Sequence, residues 1–207
     1  MSDWCQKIVG IDIEPEMIAE AKRLHQQIRI GSIDWFNGTP EQYKEQFDEP
    51  FHLVTIAKAF HWMDRPKVLD DLYEMIEENG GVTIIDNYDP QKKQEDWQLQ
   101  LNEVIEMWYG KERRAGNSTY SHPTTSHEEI VAESKFHLEN YTLPPYEITW
   151  TVESIIGNLY STSYGSKRFL GSHVKAFEDE VTDALLSING EGLFKEQVQL
   201  SMKLALK

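Results

Sequence analysis

The sequence predicts an α/β fold: a mostly parallel sheet with crossover helices on both faces, closed by an antiparallel C-terminal strand. Three observations predict it. Short apolar, β-branched runs alternate with helical patterns throughout the first 90 residues. The second half trades that alternation for amphipathic helices. The chain then ends in a strict period-two pattern, the mark of a half-exposed and usually antiparallel strand.

Taken in order, residues 7–13 form an apolar run ending at an acid, as a buried parallel strand does. A helix follows at Glu14, with Pro15 in its first turn where a missing N–H costs nothing and Met17, Ile18, Ala21 and Leu24 at helical spacing. A second strand falls within residues 28–37. Thr39, Pro40 and Gln42 make a capping box for a short helix to about Phe47. Residues 52–59 are the third strand. Asp64 and Pro66 then open a helix with an apolar stripe of Val68, Leu69, Leu72, Met75 and Ile76, which Gly80 and Gly81 stop. Residues 82–86 are the fourth strand.

Beyond them, Trp97, Leu101, Val104, Ile105 and Trp108 share one helix face, and Thr125 with Glu128 forms a capping box for a helix to about Ser134. A strand-like stretch runs from Phe136 into Pro144 and Pro145. Thr151 caps a helix carrying Val152, Ile155, Ile156 and Leu159, and Ser172 caps a longer one with Val174, Phe177, Val181, Leu185 and Ile188. At the end, Val198, Leu200, Met202, Leu204 and Leu206 line one face, against Gln197, Gln199, Ser201, Lys203 and Lys207 on the other. One core accounts for all of these stripes in a chain of 207 residues.

Composition narrows the function. Twenty Lys and Arg against 35 Asp and Glu give a net charge of −15, a field that repels phosphate backbones and anionic lipid heads. Neither nucleic acid nor membrane is an expected partner; the one basic cluster, Lys111, Arg113 and Arg114, reads as a solvated loop. A single cysteine, Cys5, excludes an internal disulfide, and no apolar stretch reaches the roughly 18 residues of a membrane span, so a cytoplasmic protein is expected. The seven histidines show no metal-ligand spacing and no G-x-S-x-G turn occurs, so neither a metal site nor a hydrolase nucleophile is expected.

Ligands of such sheets bind beyond the carboxyl ends of the strands. Four ends qualify: Asp12, the Gly38-Thr39 turn, the segment Ala59-Phe60-His61-Trp62, and Asp86-Asn87. Asp12 is placed either to accept hydrogen bonds from vicinal ribose hydroxyls or to satisfy the first amides of the helix behind it. Gly38 and Thr39 either let a backbone approach an adenine ring or simply cap the next helix. His61 and Trp62 either stack on a ligand, with His61 as a proton acceptor, or are structural.

Several segments together resemble one family, the type 11 class I methyltransferases, and within it the branch similar to trans-aconitate methyltransferases. KIVGIDIEPEMIAEAKR (residues 7–23) resembles the family's second-strand motif. LVTIAKAFHWMDRPKVLDDLYEMIEENGGVTII (53–85) resembles its fourth strand, the following helix and the fifth strand. WTVESIIGNLYSTSYGS (150–166) is similar to the late helix over the substrate pocket. The resemblance implies a Rossmann-like fold in a single domain, 1–207, with residues 1–90 as the cofactor-binding half and 91–207 as helical insertion, substrate cover and closing strands. It implies S-adenosylmethionine as the cofactor: Asp12 on the ribose, Ile13 beside the adenine, Thr39 at the adenine edge, and the backbone of Ala57, Lys58 and Ala59 along the methionine portion. His61 and Trp62 then border the methyl-transfer pocket, with His61 as acceptor contact or base. The small-molecule acceptor implied by this branch is a carboxylic acid, which Arg113, Arg114, His122 or Arg168 could clamp.

The departure from the family lies before Lys7, where members carry a strand and a D-x-G-x-G-x-G loop whose amides hold the methionine end of the cofactor. In the family's strand order, 3-2-1-4-5-7-6, that strand is central, so the chain is expected to be N-terminally truncated relative to the family and to bind its cofactor weakly. Methyl transfer to a small molecule is the first functional reading, and a non-catalytic remnant acting as a binding module is the alternative. A nicotinamide-dependent oxidoreductase ranks last, because G-x-G-x-x-G would have to precede Asp12 by about 20 residues.

Overall fold

The computed structural model describes residues 5–28, 31–47, 49–89, 91–112, 114–115, 118–119, 124–162 and 164–207. In chain order the elements are β1 (Ile8–Asp12), α1 (Pro15–Ile28), β2 (Ile33–Asn37), α2 (Pro40–Gln46), β3 (Phe51–Ala57), a 3-10 turn (Phe60–Trp62), α3 (Arg65–Met75) and β4 (Ile76–Asp86). There follow α4 (Asp96–Tyr109), the two-residue strands β5 (Arg114–Ala115) and β6 (Ser118–Thr119), α5 (His127–Ala132) and β7 (His137–Thr142). The chain finishes with β8 (Tyr146–Thr151), α6 (Val152–Tyr160), α7 (Val174–Ile188), β9 (Leu193–Val198) and β10 (Ser201–Leu206). These divide into two compact units, one of Met1–Ile84, Ser126–Glu139 and Lys203–Lys207, the other of Ile85–Thr125 and Asn140–Met202.

In the first unit β1 and β2 pair in parallel, Ile8 opposite Ile33 through Asp12 opposite Asn37. A separate four-stranded sheet runs in the order β3-β4-β10-β7. Within the four-stranded sheet the order β3-β4-β10-β7 is the 4-5-7-6 part of the order expected from the family resemblance. No described strand joins it to the β1–β2 pair. The core of this unit is Ile56, Phe60, Val68, Leu69, Leu72, Ile76, Val82, Ile84, Val131, Phe136 and Ala205.

The β4 strand begins earlier than the sequence reading placed it. Gly80 and Gly81 are not a helix stop; α3 ends at Met75, and the glycines lie within the strand. A Cβ at Gly80 would meet the His52 carbonyl oxygen at 2.6 Å, and one at Gly81 the Ala205 carbonyl oxygen at 2.8 Å. Close approach of the two neighbouring backbones is what these positions require.

Strand β10 runs against β4, since Lys207 N donates to Gly80 O at 3.0 Å while Ser201 Oγ donates to Asp86 O at 3.2 Å. Its expected faces need correction. Alternation from Val198 to Leu206 spans the end of β9, a break at Gln199 and Leu200, and β10 itself. Within β10 the buried residues are Ala205 and Lys203, the latter 6% exposed with its ammonium 3.1 Å from the Glu128 carboxylate. The strand lies between β4 and the edge strand β7, and its remaining residues are half-buried. Lys207 donates to the carbonyls of Tyr73 and Ile76, satisfying acceptors that the end of α3 leaves open.

Capping boxes form at Thr39 with Gln42 and at Thr151 with Ser154. The one expected at Thr125 and Glu128 is displaced by one residue: Ser126 caps α5, with Glu129 returning to the cap amide. Ser172 does not cap α7; a 3-10 turn over Gly171–His173 leads into the helix and His173 holds the cap position.

The second unit has its own core of Trp97, Val104, Ile105, Ile155, Leu159, Leu170, Phe177, Val181, Leu185 and Phe194. The apolar stripes thus fill two clusters where the sequence suggested one. Strands β8 and β9 pair antiparallel, Tyr146 opposite Val198 through Thr151 opposite Leu193. Trp97 Nε1 donates to the Lys195 carbonyl and Trp150 Nε1 to Glu196, so each indole N–H has an acceptor.

Candidate active site

The candidate site is built in the first unit from the carboxyl ends of β1, β2 and β3. At the end of β1, Asp12 is half-buried and its Oδ1 accepts from the Glu14 amide at 2.8 Å. No described residue donates to its other oxygen. Its backbone is pinned: Asn37 Nδ2 donates to the carbonyls of Asp12 and Ile13 at 3.0 and 3.1 Å, and Gly38 N donates to Asp12 O at 3.0 Å. Ile13 is 64% exposed, an apolar surface beside an open carboxylate oxygen.

Thr39 is brought next to this group through Gly38, and its hydroxyl accepts from the Gln42 amide as the cap of α2. Asn37 is a residue that the sequence reading missed. Its signal was present, because a parallel partner in register with Asp12 ends its strand on a side chain able to tie two loops together.

At the end of β3, Ala57 closes the strand and Lys58 takes a left-handed φ of 52°. That conformation costs a non-glycine residue about 1–2 kcal/mol, and such strain concentrates at ligand-binding turns. Ala59 then precedes the 3-10 turn, where Trp62 N donates back to Ala59 O at 3.0 Å. Phe60 is buried beneath, His61 is half-buried, and Trp62 is largely exposed with its ring 5.0 Å from that of His61.

Behind this turn stand two groups that the sequence reading also missed. His127, 7% exposed, meets Phe60 edge to face at 5.1 Å, and its Nδ1 lies 3.2 Å from Nη1 of Arg65. No spacing signal links them, since the two residues are 62 apart in sequence.

The other candidates each have their own setting. Asp86 belongs to the second unit, where Oδ1 accepts from the Asn87 and Tyr88 amides at 2.7 and 3.0 Å. Arg168 is also there, its guanidinium 5.1 Å above the Phe169 ring. Arg113, His122 and the side chain of Arg114 lie outside the described residues.

Residues 1–80 match a protein family described as a methyltransferase domain. Asp12, Ile13, Thr39, Ala57, Lys58, Ala59, His61 and Trp62 fall inside that stretch. The structure is similar to the YcgJ protein of Bacillus subtilis, with a TM-score of 0.57 and 18% identity over 100% of this chain and 84% of that one. It is similar, too, to a candidate methyltransferase from Bacillus halodurans C-125, with a TM-score of 0.54 and 17% identity over 97% and 83% of the two chains. A candidate type II methyltransferase from Anaeromyxobacter dehalogenans gives a TM-score of 0.50 and 15% identity over 99% and 80%. No curated protein matches the chain. The fold is the Rossmann-like α/β fold of these structures, and the chain's first 80 residues carry the match to a methyltransferase domain. No described helix is long and apolar enough to cross a membrane.

Proposed function

We propose that this chain transfers the methyl group of S-adenosylmethionine to a small-molecule acceptor in the cytoplasm, and that the acceptor is a carboxylic acid, as in the trans-aconitate-like branch. The observation that carries the reading is Asp12: a carboxylate at a strand end with one oxygen fixed by the helix behind it, the other open, and an exposed isoleucine next to it. That is the surface an adenosine needs, a charged acceptor for the ribose hydroxyls and an apolar face for the base. Asp12 would hold the ribose, Ile13 the adenine face and Thr39 the adenine edge. The backbone of Ala57, Lys58 and Ala59 would follow the methionine portion.

The cofactor supplies an already activated methyl group, so the protein's own part is alignment and exclusion of water. Trp62 covers the pocket, and His61 contacts the acceptor or takes a proton from it where the acceptor has one to lose. Methyl-labelled S-adenosylmethionine incubated with a panel of small mono-, di- and tricarboxylic acids tests the reading. Label transferred to one acid, and lost in His61→Ala, supports it; no label transferred to any acceptor, carboxylic or otherwise, contradicts it.

A second reading, a non-catalytic binding module, is favoured by the separation of the β1–β2 pair from the four-stranded sheet, which no described strand joins. On this reading adenosine and S-adenosylmethionine bind equally weakly and no methyl group moves.

A further inference from the structure

The proposed reaction leaves one charge at the strand ends without a task. The turns after β1 and β2, residues 12–14 and 37–39, hold carboxylates, polar side chains and amides but no cation. Lys58, in the turn after β3, supplies one. It is exposed, and among the described residues its ammonium makes no hydrogen bond or ion pair. Cations elsewhere in the first unit are engaged: Lys44 with Asp71 and Glu74 at 2.9 and 2.6 Å, Lys67 with Asp71 at 3.0 Å, and Arg65 Nη1 with His127 Nδ1 at 3.2 Å. With 35 acidic residues against 20 basic ones, partners for a lysine are plentiful, yet none of the described ones meets Lys58.

The backbone adds an independent observation. Lys58 has a φ of 52°, a left-handed conformation that glycine enters freely and a residue with a side chain only under strain. Such strain concentrates at ligand-binding turns. A lysine where glycine would suit the backbone better points to a use for its ammonium. The charge then selects the ligand: three donors and no acceptor bind an anion. In a protein of net charge −15 a small carboxylate is repelled by the mean field and needs a local cation to hold it. Arg168, which the sequence offered for that task, belongs to the second unit and lies against the Phe169 ring.

We propose that the Lys58 ammonium is the carboxylate-binding group of the candidate site. A carboxylate has two sources here, the acceptor acid and the methionine end of the cofactor, and the same ion pair serves either. The proposal rests on the reading of these strand ends as the methyl-transfer site and extends it from the backbone of Lys58 to its side chain.

Calorimetry on the full chain tests it with tricarballylate, S-adenosylhomocysteine and methylthioadenosine, the last having the nucleoside and sulfur but no carboxylate. Lys58→Gly removes the ammonium and relieves the backbone, Lys58→Met removes the ammonium alone, and Lys58→Arg keeps the charge. The expected result is that Lys58→Gly and Lys58→Met weaken one carboxylate probe by about 10- to 100-fold, that Lys58→Arg recovers most of the loss, and that methylthioadenosine binds all four proteins alike. Added salt weakens the same probe in the wild type, a readout that needs no variant to fold. Loss of tricarballylate assigns the ion pair to the acceptor; loss of S-adenosylhomocysteine assigns it to the cofactor. Carboxylate probes bound equally by wild type and Lys58→Gly, bound by neither, or weakened no more than methylthioadenosine overturn the proposal. Normal methylthioadenosine binding with carboxylates indifferent to Lys58 sinks only this inference. Lys58-dependent tricarballylate binding with no methylthioadenosine bound sinks only the functional reading beneath it.

Discussion

Strand β4 and its fellows β1 and β3 have similar sequences and very different surroundings. From Gly80 to Ile84 the β4 residues are buried, Val82 completely, between β3 on one side and β10 on the other. On β3, Leu53 is 46% exposed, and on β1 Ile11 is 37% exposed. All three strands are apolar enough to be interior. What differs is the neighbour: β4 has a paired strand along both edges, while among the described residues β1 and β3 each pair along one only. The contrast teaches that a strand's apolar content expresses the sheet it is suited to, and its exposure the sheet it has.

The largest effect expected from this contrast is on stability. Ile84→Ala should cost about 2–5 kcal/mol, the loss for a buried aliphatic side chain. Leu53→Ala, at a partly open position, should cost less than about 1 kcal/mol. Urea unfolding of the two variants measures both, and equal losses would mean that β3 is as enclosed as β4.

A smaller effect should come from the second unit, where Tyr109 is held in the aromatic core and donates to the Gly165 carbonyl. Burial pushes its hydroxyl up to about 12. Because the folded value is raised above the unfolded one of about 10, the stability it supports is complete below pH 10 and is lost as the pH rises toward 12. Tyr160 acts in the same direction, through burial and its hydrogen bond to Glu178. Tyr109→Phe should therefore flatten the alkaline limb of stability against pH without abolishing it, and an unchanged limb would assign the loss elsewhere.

The sequence made legible whatever depends on local spacing. The acid closing β1, the Thr39 and Asp64 caps, and the buried stripes Val68, Leu69 and Leu72 on α3 and Phe177, Val181 and Leu185 on α7 need only periodicity and a capping residue, and stand where expected. The long β4 was misread because glycines that end helices also permit strands to approach closely, and only the neighbours at His52 and Ala205 distinguish the two. Lys203 was placed on a solvated face because its partner, Glu128, comes from a distant helix. The β8–β9 ladder was overlooked although Tyr146, Ile148 and Trp150 alternate, because the run flows straight into the cap of α6. In the candidate site, strand-end residues were readable, whereas the Arg65–His127 contact is tertiary and left no local trace.

The most direct test titrates S-adenosylhomocysteine calorimetrically into the wild-type chain and into Asp12→Asn, with circular dichroism verifying that both are folded. The account predicts weak binding by the wild type and a loss of about 10- to 100-fold in the variant, the worth of charge-assisted hydrogen bonds to two hydroxyls. Equal affinities for the two proteins, or heats absent from both, would contradict the assignment of Asp12 to the cofactor.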